Sequence, residues 1–173
     1  GDGYAVEPLG LQHLDGPYSG WIADQEICRY NAHGKFIPSH DELRAFLASA
    51  NTAGRIDWAI RHVDGGHVGN ISLSDLSFIN RSAEFGILIG DRTHNGRGVG
   101  ERAGQALLMH AFSKLNLERI ACGTAATNLS MIRLAVKLGM VQEGRRRSAR
   151  YLDGQWVDVL EFGILRSEFE GQN

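Results

Sequence analysis

Residues 84–100 read Glu84-Phe85-Gly86-Ile87-Leu88-Ile89-Gly90-Asp91-Arg92-Thr93-His94-Asn95-Gly96-Arg97-Gly98-Val99-Gly100, and the reading of this stretch decides the fold. An apolar run of strand character leads through a short polar segment to glycines at every second position. Val99, Ala103, Ala106, Leu107 and Ala111 then recur at helical spacing. Alternating glycines let a backbone come close to a ligand, and the helix that follows points unpaired N–H groups at whatever sits there. Such a junction binds anions, above all a pyrophosphate.

Working outward, residues 4–9 alternate polar and apolar and read as a first strand. Residues 11–31 read as short helices broken by Gly16-Pro17 and by Gly20. Ser39 with Glu42 forms a capping-box pattern, and the helix it opens runs through Leu43, Phe46 and Leu47. Residues 56–63 and 67–73 flank Asp64-Gly65-Gly66, a hairpin signal, and 83–89 follow as another strand. Beyond the glycine run lie a helix over 99–115 and a short strand over 120–125. Asn128 is a fitting N-cap for a helix with the stripe Met131, Leu134, Ala135 and Leu138, closed by Gly139. Residues 145–165 read as two strands joined at Asp153-Gly154. Hairpin strands, one strand–helix–strand–helix passage and a final hairpin predict an α+β fold around one central sheet.

Bulk properties narrow the function classes. At 173 residues the chain is long enough for one domain with a full core, and residues 1–173 are read as a single domain. The first few residues, Gly-Asp-Gly, are expected to be an expression remnant. Lys and Arg number 18 against 20 Asp and Glu, a formal charge of −2, so no global field favours nucleic acid or an anionic membrane. Cys28 and Cys122 are too few for a disulfide framework or a metal quartet, which suits a reduced, cytoplasmic setting. There is no apolar run near the roughly 18 residues of a membrane span and no signal-peptide pattern. No Cys/His/Asp spacing matches a metal site, and no metal is expected.

Which anion the loop holds follows from what surrounds it. A phosphate loop of the nucleotide type needs Lys-Ser/Thr after its last glycine, and Val99 and Glu101 stand there instead. Gly98-Val99-Gly100-Glu101-Arg102-Ala103 fits a dinucleotide fingerprint better. Yet Glu118, at the distance of the ribose-binding acid, precedes its strand rather than ending it. Three motifs in order resemble another family. Residues 84–90 with Asn95-Gly96-Arg97-Gly98-Val99-Gly100 look like the fourth strand and acetyl-CoA loop of the GCN5-related N-acetyltransferases (GNAT). Arg119-Ile120, then residues 127–134, Lys137-Leu138-Gly139-Met140 and Glu143-Gly144, are similar to that family's fifth strand and following helix. Residues 156–165 resemble the last strand of its RimJ/RimL-type branch.

The resemblance implies a mixed, mostly antiparallel central sheet flanked by helices and splayed between the fourth and fifth strands. It implies acetyl-CoA as acetyl donor, with Asn95, Gly96, Arg97, Gly98, Val99 and Gly100 forming the diphosphate loop. Leu88 and Ile89 would offer backbone groups to the pantetheine, and Asn128 would bond it from across the splay. Asn128 is equally accounted for as a helix cap. Glu84 is the candidate general base, or else a solvated residue at a strand edge. The family's usual proton donors fall on Met131 and Ala135, which cannot donate. Ser130, one position displaced, and Tyr151, on the last hairpin, are the remaining catalytic candidates, with His94 close to the loop.

Acetyl transfer to an amine needs a neutral amine, a polarised carbonyl and a proton for the leaving thiolate. An N-terminal amine, with an ordinary pKa of about 8, needs less help from a base than an aliphatic amine near 10.4. Expected acceptors are a protein N-terminal amine, an amino sugar nucleotide or a small polyamine-like molecule, with a homodimer as a further expectation and no nucleic-acid or membrane partner. Arg145-Arg146-Arg147 with Arg150 reads either as a solvated strand face or as an anion site. Because alternate strand residues point opposite ways, only some of them can converge. Trp21, Tyr30 and Phe36 read as core or as one wall of the acceptor site. A non-catalytic acyl-CoA-binding module is the alternative to an N-acetyltransferase.

Overall fold

The computed structural model describes residues 3–31, 35–52 and 54–171. Strands β1 (Tyr4–Pro8), β2 (Ile56–His62), β3 (His67–Ser77), β4 (Ser82–Ile89), β5 (Arg119–Ala125), β6 (Val141–Leu152) and β7 (Gln155–Leu165) form one sheet. Their order across it is β1-β2-β3-β4-β5-β7-β6. Every neighbouring pair is antiparallel except β4 and β5. The parallel pair is joined by α3 (Val99–Ser113), since a parallel connection must cross over. Helices α1 (Tyr18–Ala23), α2 (His40–Ala48), α4 (Leu129–Lys137) and α5 (Arg166–Glu170) complete the chain.

Strand side chains alternate between two faces, and each face has its own core. On one, Ile60, Ile71, Leu73, Phe85, Ile120, Cys122, Phe162 and Ile164 meet Leu107, Leu108 and Phe112 of α3, Ala135 of α4 and Phe169 of α5. On the other, Ala59 and Leu88 pack under Tyr18, Trp21 and Ile22 of α1 and Leu43 and Leu47 of α2. The second core rests on the β2–β4 half of the sheet. Over β5 and β7, in the stretch next to the β4 ladder, that same face carries Ala121, Gly123, Glu161 and Gly163, which are small or charged.

The β4–β5 ladder is short. Ser82, Ala83 and Glu84 pair with Arg119, Ile120 and Ala121, and the ladder ends there. β4 runs on beside β3 as far as Ile89, and β5 runs on beside β7 as far as Ala125. The two strands therefore diverge from Glu84 onward, which is the splay expected between the fourth and fifth strands.

Local chemistry explains most boundaries. Ser39 accepts from the Glu42 amide while Glu42 reaches back to Ser39, so the capping box is formed. Asp153 and Gly154 both adopt positive φ, as a two-residue hairpin turn requires. Several expectations are corrected. Gly20 lies inside α1 instead of breaking it, because the helix is held in place by the burial of Tyr18, Trp21 and Ile22. Ala106 is exposed; Gly104 takes its place in the buried stripe of α3. Helix α3 stops at Ser113, short of 115, and β3 and β6 extend beyond their predicted limits.

Candidate active site

The loop after β4 begins with Asp91, whose carboxylate accepts from the amide and hydroxyl of Thr93 and fixes a short turn. His94 is held by Tyr4, with Nδ1 at 2.7 Å from the hydroxyl, so the His94 ring anchors the loop to β1. Asn95, Gly96 and Arg97 are exposed. Gly96 and Gly98 both have φ +74°, a conformation that side chains disfavour, and Gly98 is the N-cap of α3. Among the described residues, Gly96 and its two chain neighbours aside, no atom lies within 4 Å of the place where a β-carbon would sit on Gly96. The first-turn amides of Val99, Gly100 and Glu101 have no acceptor within the helix. Val99 itself is buried, so only its amide can face a ligand. Gly100 packs against Leu134 of α4, where a β-carbon would stand 3.3 Å from a leucine methyl. Its amide belongs to the loop, but its lack of a side chain serves the packing of two helices.

Leu88 and Ile89 pair with Asn70 and Gly69 of β3 and lie beyond the end of the β5 ladder, so their backbone borders the open side of the splay. Asn128 stands across that opening. Its Oδ1 caps α4 by accepting from the Met131 amide, and its Nδ2 donates to Thr124 Oγ1 at 3.1 Å. Ser130 is exposed on the first turn of α4, while its neighbour Met131 packs on the core. Tyr151 is 49% exposed near the β6–β7 tip and packs against Trp156.

Glu84 occupies the last rung before the strands diverge. Among the described residues its carboxyl makes no hydrogen bond and no ion pair. Burial pushes its pKa above the ordinary carboxylate value, and the negative charges of Glu161 and Asp75 push the same way, against Arg119 and Arg146. Sequence reasoning missed Glu161 altogether. It faces Gly123 across the β5–β7 ladder, two residues from the Ala121–Gly163 rung, and its carboxylate lies where a side chain on Gly123 would be. It is bonded by Arg146 at 2.5 Å. A second pair, Arg119 with Glu143, covers Gly163 in the same way. The only sequence signal was the pattern of glycines and glutamates on β5 and β7, which means nothing until the register is known.

The arginine cluster divides between faces. Arg146 turns to Glu161, Arg145 to Asp158, and Arg150 donates to the Tyr30 carbonyl. Tyr30 in turn donates to the carbonyl of Thr127, so the segment after α1 spans the splay to reach the residue before Asn128. Trp21 is core, and Phe36 is exposed beside an apolar cleft with Tyr18, Ile22 and Phe46. A larger cleft of about 630 Å³, lined by Trp21, His67, Gly90 and Thr93 among others, contains none of the candidate catalytic or coenzyme-binding residues. The candidate site is instead an open groove between two strands. Cys28 and Cys122 are free and buried. Burial raises both thiols, Cys122 to about 12 with help from Glu84 and Glu161. Among the described residues no group of His, Cys, Asp and Glu converges as metal ligands, and no helix is long and apolar enough to cross a membrane.

Comparison with known proteins agrees with this geometry. YdaF of Bacillus subtilis, whose name assigns it provisionally to ribosomal N-acetylation, is 33% identical over 109 residues, 63% of this chain and 59% of that protein. Spermidine N(1)-acetyltransferase of Vibrio cholerae is 31% identical over 102 residues, 59% of this chain and 58% of that protein. In both, the match spans less than two thirds of the relative's length. The crystal structure of a Vibrio cholerae spermidine N-acetyltransferase, solved with CoA and spermine, superposes with a TM-score of 0.88 at 23% identity. It covers 98% of this chain and 99% of that one, and it shares the fold. The sequence profile of the acetyltransferase (GNAT) domain matches residues 5–141, and the chain belongs to the GNAT acetyltransferase family.

Proposed function

We propose that the chain is an acetyl-CoA-dependent N-acetyltransferase that passes the acetyl group to a primary amine by direct attack in a ternary complex. The observation that carries this reading is the divergence of β4 from β5 between the amide-lined start of α3 and the half-buried carboxyl of Glu84, which has no partner among the described residues. Bound acetyl-CoA supplies the thioester. In this reading the amides at 98–101 hold the diphosphate, Asn95, Gly96 and Arg97 border it, and Leu88 and Ile89 align the pantetheine as a further strand would. Asn128 holds the far wall chiefly through its cap. A strand amide beside the thioester stabilises the developing oxyanion.

Glu84 takes the proton from the acceptor ammonium, and its raised pKa suits that task. The nitrogen then bonds to the acetyl carbon, the C–S bond breaks, and CoA leaves as its thiol. The second proton that the bonded nitrogen sheds balances the one the thiolate takes up, with Ser130 or Tyr151, both exposed, as side-chain donor and solvent as the other route. The high pKa of Cys122 and the burial of Cys28 argue against a covalent acetyl-cysteine relay. Two free thiols suit a reducing compartment, and we assign the reaction to the cytoplasm.

Within the family, the ribosomal naming of YdaF supports a RimJ/RimL-like placement. The acids around Glu84 support a small cationic amine as acceptor over a sugar nucleotide. A homo-oligomer accords with the family but rests on no contact in this chain. The test is thiol release from acetyl-CoA across a panel of amines, with Gly98→Trp as the control. Wild type should release thiol with at least one amine, and the variant should lose acetyl-CoA binding. Tight coenzyme binding with no release on any amine would replace this reading with a non-catalytic acyl-CoA module.

A further inference from the structure

We infer that Glu161 is a specificity-determining residue that receives a second ammonium group of the acceptor, in exchange for the Arg146 guanidinium that covers it in the free protein. The inference rests on the transferase reading above and concerns the acceptor half of the same groove.

Position comes first. Glu161 is level with Gly123, one side-chain repeat beyond the Glu84–Ala121 rung toward the open end of the splay. Glu84 and Glu161 are two strands apart, about 10 Å across the sheet and about 7 Å along it between backbones, and two extended glutamates can close much of that gap. The floor between them is Ala121, Gly123 and Gly163, and Gly123 is exposed. Interior glycines weaken a strand, so a floor of two glycines and one alanine is a cost that an ordinary covered sheet would not carry.

Charge comes second. Around this floor stand four carboxylates, Glu84, Asp75, Glu143 and Glu161, and two guanidinium groups, Arg119 and Arg146. Arg119 is committed to Glu143 in a two-pronged pair. Arg146 makes one bond to Glu161, from a side chain 63% exposed. It lies at the start of the register break that runs to Arg150, where Ser148 takes positive φ. Exposed single-bond pairs contribute little, so a substrate cation can displace this one. An α,ω-diamine then spans the site, one nitrogen toward Glu84 and the other on Glu161.

The experiment compares 1,4-diaminobutane with n-butylamine, read as thiol release from acetyl-CoA and, separately, as amine binding by titration calorimetry to the CoA-loaded protein. Wild type should prefer the diamine. Glu161→Gln should cut the diamine-over-monoamine ratio about tenfold or more, seen in KM rather than kcat. Arg146→Gln, an exposed change, should lower KM for the diamine, the opposite sign, which loss of a structural ion pair would not produce. An unchanged ratio in Glu161→Gln, or a raised diamine KM in Arg146→Gln, overturns the inference. Absence of thiol release with every amine would sink the transferase reading, while the binding ratio would still decide the role of Glu161.

Discussion

Among the described residues the Glu84 carboxyl has no hydrogen bond or ion pair at a partly buried position, and such a group destabilises the fold that holds it. Its raised pKa states the same fact. Folding favours its protonated form, so its contribution to stability is greatest in acid. That contribution is lost as pH rises from the unfolded carboxylate range through the higher folded value. Glu84→Gln should therefore be at least as stable as wild type at neutral pH, judged by thermal unfolding, while acetyl transfer falls by about a hundredfold. The deficit should shrink in alkali, where more of the amine is already neutral. In wild type the acid limb of the rate should lie above the ordinary carboxylate value. The groups acting on it are Glu161 and Asp75 in one direction and Arg119 and Arg146 in the other. An identical pH profile in the variant would remove Glu84 as base. Glu84 could be nominated from sequence because it precedes a recognisable loop. Its unpaired state could not, since that depends on which charges β3 and β7 bring alongside.

Helix α4 illustrates what sequence carries well and what it does not. Asn128, the stripe Met131, Leu134, Ala135 and Leu138, and the closing Gly139 with φ +80° are all local signals, and all of them are formed. The same holds for the capping box of α2 and the turn at Asp153-Gly154. Contacts set by register were invisible. The break between Arg146 and Arg150 decides which arginines face Glu161 and Asp158, and no local pattern announces it. Gly20 inside α1 is the opposite case, a local breaker overridden by burial of its neighbours. Asn128 caps α4 and, in the proposed reading, also forms the groove wall, and the two roles can be separated. Asn128→Ala should cost about 1 kcal/mol through the lost cap, lowering Tm by roughly 2–4 °C. Asn128→Asp retains the capping acceptor while losing the Nδ2 bond to Thr124. If the wall matters, Asn128→Asp should keep its Tm and raise KM for acetyl-CoA; an unchanged KM would confine Asn128 to the helix.

The sheet carries two cores on opposite faces, and among the described residues the strands on either side of the splay are joined within the sheet by a three-rung ladder between β4 and β5, beside the Arg81 bonds at its start. On one face the core under α3, α4 and α5, to which strands of both halves contribute, adds to the connection. On the other, the bonds from Tyr30 to Thr127 and from Arg150 to Tyr30 cross the opening. A ligand lying between diverging strands and bonding to both would complete the interrupted sheet, so coenzyme binding should couple the two halves and stabilise the fold as a unit. At acetyl-CoA concentrations 100-fold above Kd the gain is about 2.7 kcal/mol, which for a chain of this size corresponds to roughly 5–10 °C in Tm. Thermal unfolding should remain a single transition and move upward by that amount. Gly98→Trp should show none of the shift, because its loop no longer admits the diphosphate. Pantetheine without the nucleotide should give a smaller one through Leu88 and Ile89. Equal shifts in wild type and Gly98→Trp would place the coenzyme outside the splay, and the geometric basis for the transferase reading would fall with it.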